Sequence, residues 1–177
     1  MKTKIITLLC IFLLSSCSPT EVTSDKLIKR GGITYEINLT TPFTGVSLEY
    51  WENGQLLGKS TFKNGVLDGH YESFYSNGQL QTKTIYKNGE FDGRYENFHS
   101  NGQLRLEITY KNGLRDGYYE SFFDNGQLDE KGTLNNGKIV GLYESFYDTG
   151  QIWLRAVYEN GEEVRFERFD RDGKRVK

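Results

Sequence analysis

The dipeptide Asn-Gly recurs along this chain in two interleaved series. One runs Asn53-Gly54, Asn77-Gly78, Asn101-Gly102 and Asn125-Gly126, with Gly150 keeping the phase after Thr149. The other runs Asn64-Gly65, Asn88-Gly89, Asn112-Gly113, Asn136-Gly137 and Asn160-Gly161. Successive members are 24 residues apart, and a third series, Gly45, Gly69, Gly93, Gly117 and Gly141, keeps the same step. A fixed period of a few tens of residues marks a repeat architecture. Asn-Gly between alternating segments signals a β-hairpin, because a type I′ turn requires positive φ at both central positions. Each repeat divides as 11 residues, Asn-Gly, 9 residues, Asn-Gly. The expectation is two antiparallel strands per repeat.

The predicted fold is therefore all-β: an elongated, twisted single-layer antiparallel β-meander built from 24-residue hairpin repeats. Aromatics at 14%, nearly all Tyr and Phe, and only 2 Pro suit strands and turns. Five full repeats occupy 45–164, and a degraded half repeat over 165–177 forms a partial C-terminal cap. Residues 26–44 read as an N-terminal capping strand. There Ile33, Tyr35, Ile37 and Leu39 alternate with polar neighbours after the Gly31-Gly32 turn, until Pro42 stops pairing.

Two-residue loops at both Asn-Gly series would set Tyr75 against Leu80, Ser73 against Thr82, Glu72 against Lys83 and Gly69 against Tyr86. Each glycine of the third series then faces a large side chain: Gly45 with Phe62, Gly93 with Tyr110, Gly117 with Leu134, Gly141 with Tyr158. Those glycines are either covered by the facing side chain or mark bulges or a third turn. Charge pairing Glu72–Lys83 recurs as Glu120–Lys131 and Glu144–Arg155, and fails where Glu96 meets Glu107. The 11-versus-9 division predicts a stagger that makes equivalent side chains an oblique stripe. Tyr71, Tyr75, Leu80 and Tyr86 are expected on one face, and Phe74, Phe98, Phe122 and Phe146 on the other.

The N-terminus reads as an address. Lys2 and Lys4 precede an apolar run over 5–14 that is too short to span a bilayer and fits a secretory signal peptide over 1–16. Leu14-Ser15-Ser16-Cys17 resembles a bacterial lipobox, and that resemblance implies cleavage after Ser16 and lipid on Cys17. Ser18 at the next position favours, by the same resemblance, the outer membrane if the cell is Gram-negative. Residues 17–25 read as a lipidated tether, polar and without periodicity.

Formal charge is -2, far from the basic balance of a nucleic-acid binder. His70 and His99 occupy different repeat phases, and neither has a second ligand at metal spacing. His99 stands where its siblings carry Tyr75 and Phe123. Recurring Ser73, Ser121 and Ser145 have no paired base. No catalytic, cofactor or metal site is expected. The candidate binding surface is the set of recurring rings Tyr71, Tyr95, Tyr119 and Tyr143 with Tyr75, His99, Phe123 and Tyr147.

At G-x-Y-E-S-F-Y-x-N-G-Q-L-x-x-K-x-x-Y-K-N-G the chain resembles the MORN-repeat variant family over residues 43–173. The resemblance implies a scaffold or interaction surface; many bacterial members of the family carry an antitoxin label. With the lipobox it implies a lipid-anchored module of the bacterial cell envelope engaging another envelope protein. Binding of a glycan or peptidoglycan by the rings, or neutralisation of a toxin, are the alternatives.

Overall fold

The computed structural model of the protein describes residues 19–176. Before the repeats lie β1 (Glu21–Thr23), β2 (Leu27–Arg30) and β3 (Ile33–Glu36). The first repeat supplies β4 (Gly45–Tyr50) and β5 (Leu56–Lys63), and the second β6 (Val66–Phe74) and β7 (Leu80–Lys87). The third supplies β8 (Glu90–Phe91), β9 (Gly93–Phe98) and β10 (Leu104–Lys111). The fourth supplies β11 (Leu114–Phe122) and β12 (Leu128–Asn135), and the fifth β13 (Lys138–Phe146) and β14 (Ile152–Glu159). Beyond them come β15 (Glu162–Phe169) and β16 (Arg175–Val176). Among the described residues, all but β2 and β3 join one open 14-stranded sheet, laid down in sequence order through the repeats. The chain is an all-β meander of consecutive hairpins, as expected.

The two Asn-Gly series make different turns. In the second series both residues have positive φ, for example 52° at Asn88 and 87° at Gly89, the type I′ geometry. In the first series only the glycine does, with φ 84° at Gly78. There Gly78 N–H donates to the Tyr75 carbonyl and Tyr75 N–H to the Gln79 carbonyl, both at 2.8 Å. That is a three-residue loop ending in a left-handed glycine. The expected pairing of Tyr75 with Leu80 is therefore corrected. Tyr75 closes the loop against Gln79, and Leu80 pairs with Phe74 on the face opposite Tyr71. The Asn77 side chain selects this turn. Its Oδ1 accepts from Gln79 N–H at 3.0 Å, a local bond that a type I′ turn does not need.

The other registers match the expectation: Gly69 faces Tyr86, Glu72 faces Lys83 and Ser73 faces Thr82. The remaining glycines of the third series face Phe62, Tyr110, Leu134 and Tyr158 as anticipated. The same glycine is also a bulge toward the preceding strand. Ser60 pairs with Tyr71 and Phe62 with Leu67, so 68–70 lie opposite Thr61 alone. Gly69 has φ 122°, and a Cβ there would stand 3.0 Å from the Thr61 Cβ. Backbone geometry, more than the facing ring, thus demands glycine.

These two extra residues absorb the stagger. Tyr71 faces Thr84, Ile108 faces both Tyr95 and Tyr119, Tyr119 faces Gly132 and Tyr143 faces Ala156. Equivalent positions therefore form a column straight across the strands, which corrects the expected oblique stripe. Tyrosine rings lean over the small or mid-sized residue of each intervening strand, leaving Thr84, Ile108 and Ala156 only 1% exposed. A Cβ added at Gly132 would lie 3.1 Å from Tyr119 Cε1 and 3.5 Å from Tyr143 Cδ2. Burial in this single layer is thus made by side chains lying flat, not by a second layer.

The N-terminal region departs most from expectation. The strand predicted through Leu39 ends at Glu36, after which Asn38 takes φ 69°. The β2–β3 hairpin forms its own sheet and docks on the first type I′ turn, with Thr34 N–H donating to the Gly65 carbonyl at 2.8 Å. The sheet edge is covered instead by β1, which pairs parallel with β4 through Glu21–Val46, Val22–Ser47 and Thr23–Leu48. Part of the expected tether is therefore bound to the sheet. The signal segment over 1–16 and Cys17 lie outside the described residues.

Three substitutions test this account. Thr84 Oγ1 is buried without a hydrogen-bond partner, so the isosteric Thr84→Val should raise stability by about 1 kcal/mol in urea unfolding. Asn88→Gly should change stability by only a few tenths of a kcal/mol, because glycine accepts the same φ. Asn77→Gly, losing one side-chain bond within its turn and one to Ser100 in the next repeat, should cost about 1–2 kcal/mol.

Candidate functional site

The side chains at the three-residue loops form a ladder between repeats. Trp51 Nε1 donates to the Phe74 carbonyl at 3.1 Å, and Tyr75 Oη to that of Phe98 at 2.7 Å. His99 Nε2 lies 2.8 Å from the Phe122 carbonyl; a carbonyl only accepts, so the ring carries its proton on Nε2. Tyr147 Oη donates to the Phe169 carbonyl at 3.0 Å. Phe123, next in the column, has no polar atom to offer Phe146. His99 thus does the work of a tyrosine, as its repeat position suggested. Beside this column Asn53, Asn77, Asn101 and Asn125 each send Nδ2 to the carbonyl 23 residues on, at 2.8–3.0 Å.

The opposite edge is tied as well. Gly65, Gly89, Gly113 and Gly137 donate their N–H to the carbonyls of Phe43, Leu67, Phe91 and Arg115 in the repeat before, at 2.7–2.9 Å. Asp68 and Asp116, each just before a bulge glycine, accept from Asn88 N–H and Asn136 N–H at 3.1 and 3.2 Å.

Tyr71, Tyr95, Tyr119 and Tyr143 are the central column of one face. Their rings engage one another's neighbours: Tyr71 with Tyr86 at 5.7 Å, Tyr95 with Phe91 and Tyr110 at 5.7 and 5.8 Å, Tyr143 with Tyr158 at 6.3 Å. Tyr119 is only 7% exposed and belongs to a small core with Ile108 and Leu134. Burial and then the charge of Glu130 push its phenol up to about 12. Burial and a 2.8 Å hydrogen bond to Glu130 raise that of Tyr143 further.

The other face carries a row of charge across the strands. Lys59, Glu72, Lys83, Glu96, Glu107, Glu120, Lys131, Glu144, Arg155 and Glu167 stand opposite one another in turn. The clash of Glu96 with Glu107 is relieved by Arg94, at 3.2 and 2.6 Å from the two carboxylates. Glu144 is bound by Lys131 at 3.1 Å and Arg155 at 2.9 Å. Burial alone would raise its carboxyl, but these two cations together hold it below its usual range. Phe74, Phe98, Phe122 and Phe146 form an apolar row alongside, paired with Leu80, Leu104, Leu128 and Ile152.

The eight rings singled out from sequence thus divide into a half-buried face column and a loop-edge column, with the second spent largely on cross-repeat bonds. Sequence reasoning passed over Trp51, whose phase with Tyr75 was visible. It also passed over Arg94 and the Thr84-phase residues, whose roles exist only once the register is known. Among the described residues no group of three metal-ligating side chains occurs.

The fold and its edge ladders define a β-hairpin repeat array, a scaffold on which each unit contacts only its neighbours. The family model for the MORN repeat variant matches residues 43–64, 67–88, 91–112, 115–136 and 139–160, well over half of the chain. This protein belongs to the MORN repeat variant family, whose repeats serve as non-catalytic scaffold or binding modules. No curated protein matches the chain. Each match ends at the Asn of a type I′ turn, so the family unit is one hairpin around a three-residue loop.

Restoring the missing rung, Phe123→Tyr should raise stability by about 0.5–1 kcal/mol. Thermal or urea unfolding measures it. For Glu144 the folded pKa lies below the ordinary 4.5, so its contribution is present above that value and lost as pH falls through the folded one. Glu144→Gln should therefore cost about 1–2 kcal/mol at neutral pH and little in acid, read from urea unfolding at both.

Proposed function

We propose that this protein is a lipid-anchored binding module of the bacterial cell envelope, held to the membrane through Cys17 and engaging another envelope protein through its repeat array. The observation that carries the reading is the array itself. Hydrogen bonds at both edges hold five hairpins in one straight register, giving an extended surface whose side chains keep fixed relative positions. Such preorganisation lowers the ordering cost of binding a macromolecular partner. The lipobox-like Leu14-Ser15-Ser16-Cys17 supplies the address, with the outer membrane favoured in a Gram-negative cell. Several acyl chains on one residue would hold it far more firmly than one.

A glycan ligand would need exposed ring faces, and the tyrosines of the central column are half-buried or, at Tyr119, buried. Toxin neutralisation is the same binding mode with a particular partner, and export would require the toxin to be exported too.

Fractionation tests the address, and cross-linking tests the role. Cys17→Ala should move the protein from the membrane to the soluble fraction; continued membrane association overturns the anchor. In-cell cross-linking should recover one dominant envelope protein from the anchored form, whereas retention on purified cell wall that is lost on Tyr→Ala changes would shift the reading to a glycan.

A further inference from the structure

On the charged face, one concavity is walled by large uncharged side chains on both sides. The row next to the charges runs His70, Ile85, Arg94, Thr109, Tyr118, Thr133, Leu142 and Val157. Tyr118 stands opposite Thr133 on β12, and Leu142 opposite Val157 beyond it. Tyr118 and Leu142 are 53% and 50% exposed, and with Gly132, Thr133 and Val140 they line one concavity. Its walls are large, its floor is small, and β11 and β13 stand two strand spacings apart, about 10 Å. The equivalent floor is Ile85 between the second and third repeats and a threonine, Thr61 or Thr109, at the other two places, but there the walls include His70 or Arg94; only between the fourth and fifth repeats are both walls large and uncharged.

The notch is apolar in its walls, and its two charged lining groups, Lys131 and Glu144, are paired with each other at 3.1 Å. A saccharide would find few free hydrogen-bonding groups there; an apolar side chain would fill it. Beside the notch the charge row is acidic three times in succession, at Glu96, Glu107 and Glu120. Arg94 serves the first two. Among the described residues Glu120 has no cation within ion-pair distance and accepts only the Tyr118 hydroxyl at 2.8 Å, which also fixes that ring. We propose that the notch between Tyr118 and Leu142 receives an apolar side chain of a protein partner, whose neighbouring Lys or Arg pairs with Glu120. A fixed ring in a pocket, flanked by a charge that awaits its complement, is the arrangement from which interface anchors are built. The proposal rests on the reading of the array as a protein-binding module and names its contact.

The test uses the full-length protein in the cells that make it, with a photoreactive phenylalanine in place of Tyr118 and, in a second strain, of Tyr95 on the opposite face. Irradiation should give a protein adduct from position 118 whose captured segment carries an apolar residue beside Lys or Arg. Adding Glu120→Gln, which keeps the shape and removes the charge, should lower that yield about five- to tenfold with an unchanged melting temperature. A captured segment without a basic residue, or a yield unmoved by Glu120→Gln, overturns the proposal. An adduct from position 95 alone overturns it while leaving the binding-module reading in place; no protein adduct at either position removes both.

Discussion

Hydrogen bonds that reach from one repeat into the next set the architecture of this molecule. Backbone ladders alone permit neighbouring strands to slip, and a slip of one residue would turn every side chain to the wrong face. Here the first four three-residue loops each send an asparagine amide, and most of the loops a ring tip, to a carbonyl of the following repeat. Four of the five type I′ turns send a glycine amide back to a carbonyl 22 residues earlier. The two edges point their donors in opposite directions along the array. A hairpin is thereby held at both ends by its neighbours, and its register is set from outside as well as by its own turns.

Burial follows from that register. A single layer has no opposing sheet to supply a core, and the solution is to lay tyrosine rings across a strand of small or mid-sized residues. This works only if the ring columns are straight, which requires the two-residue bulge at each Gly69-type position. The glycine, the aspartate before it and the tyrosine two residues later are thus parts of one device. Arg94 shows how the scaffold tolerates change: a like-charge pair at Glu96 and Glu107 is accommodated by a cation at a position where the other repeats carry His70, Tyr118 and Leu142.

Much of this was legible before any coordinates. The period and the strands follow from spacing, as does the facing of Gly69 with Tyr86 and of Glu72 with Lys83, although these two hold because a one-residue bulge at Gln81 offsets the longer loop. What escaped depends on contacts between repeats. Asn77 and Asn88 sit in identical dipeptides, yet only Asn77 bonds its side chain into its own turn and onward to Ser100. Strand β1 has three residues and no periodicity to reveal it; the exposed edge of β4 recruits it. The eight rings are legible as a set, but their division into a face column and an edge column depends on Tyr75 closing a loop against Gln79. The notch beside Tyr118 was invisible for a similar reason, since Thr133 gains meaning only between two large neighbours.

The straight column also bears on how such a chain can change length. Because equivalent residues recur directly across the strands, with no offset carried from one repeat to the next, excising or duplicating any internal unit rejoins matching edges. Recombination between copies of the coding repeat would lengthen or shorten the sheet by two strand spacings, about 10 Å, without rotating one face relative to the other. The array is in that sense a ruler whose number of divisions is free to drift while its markings, at positions such as Tyr118 and Glu120, are retained.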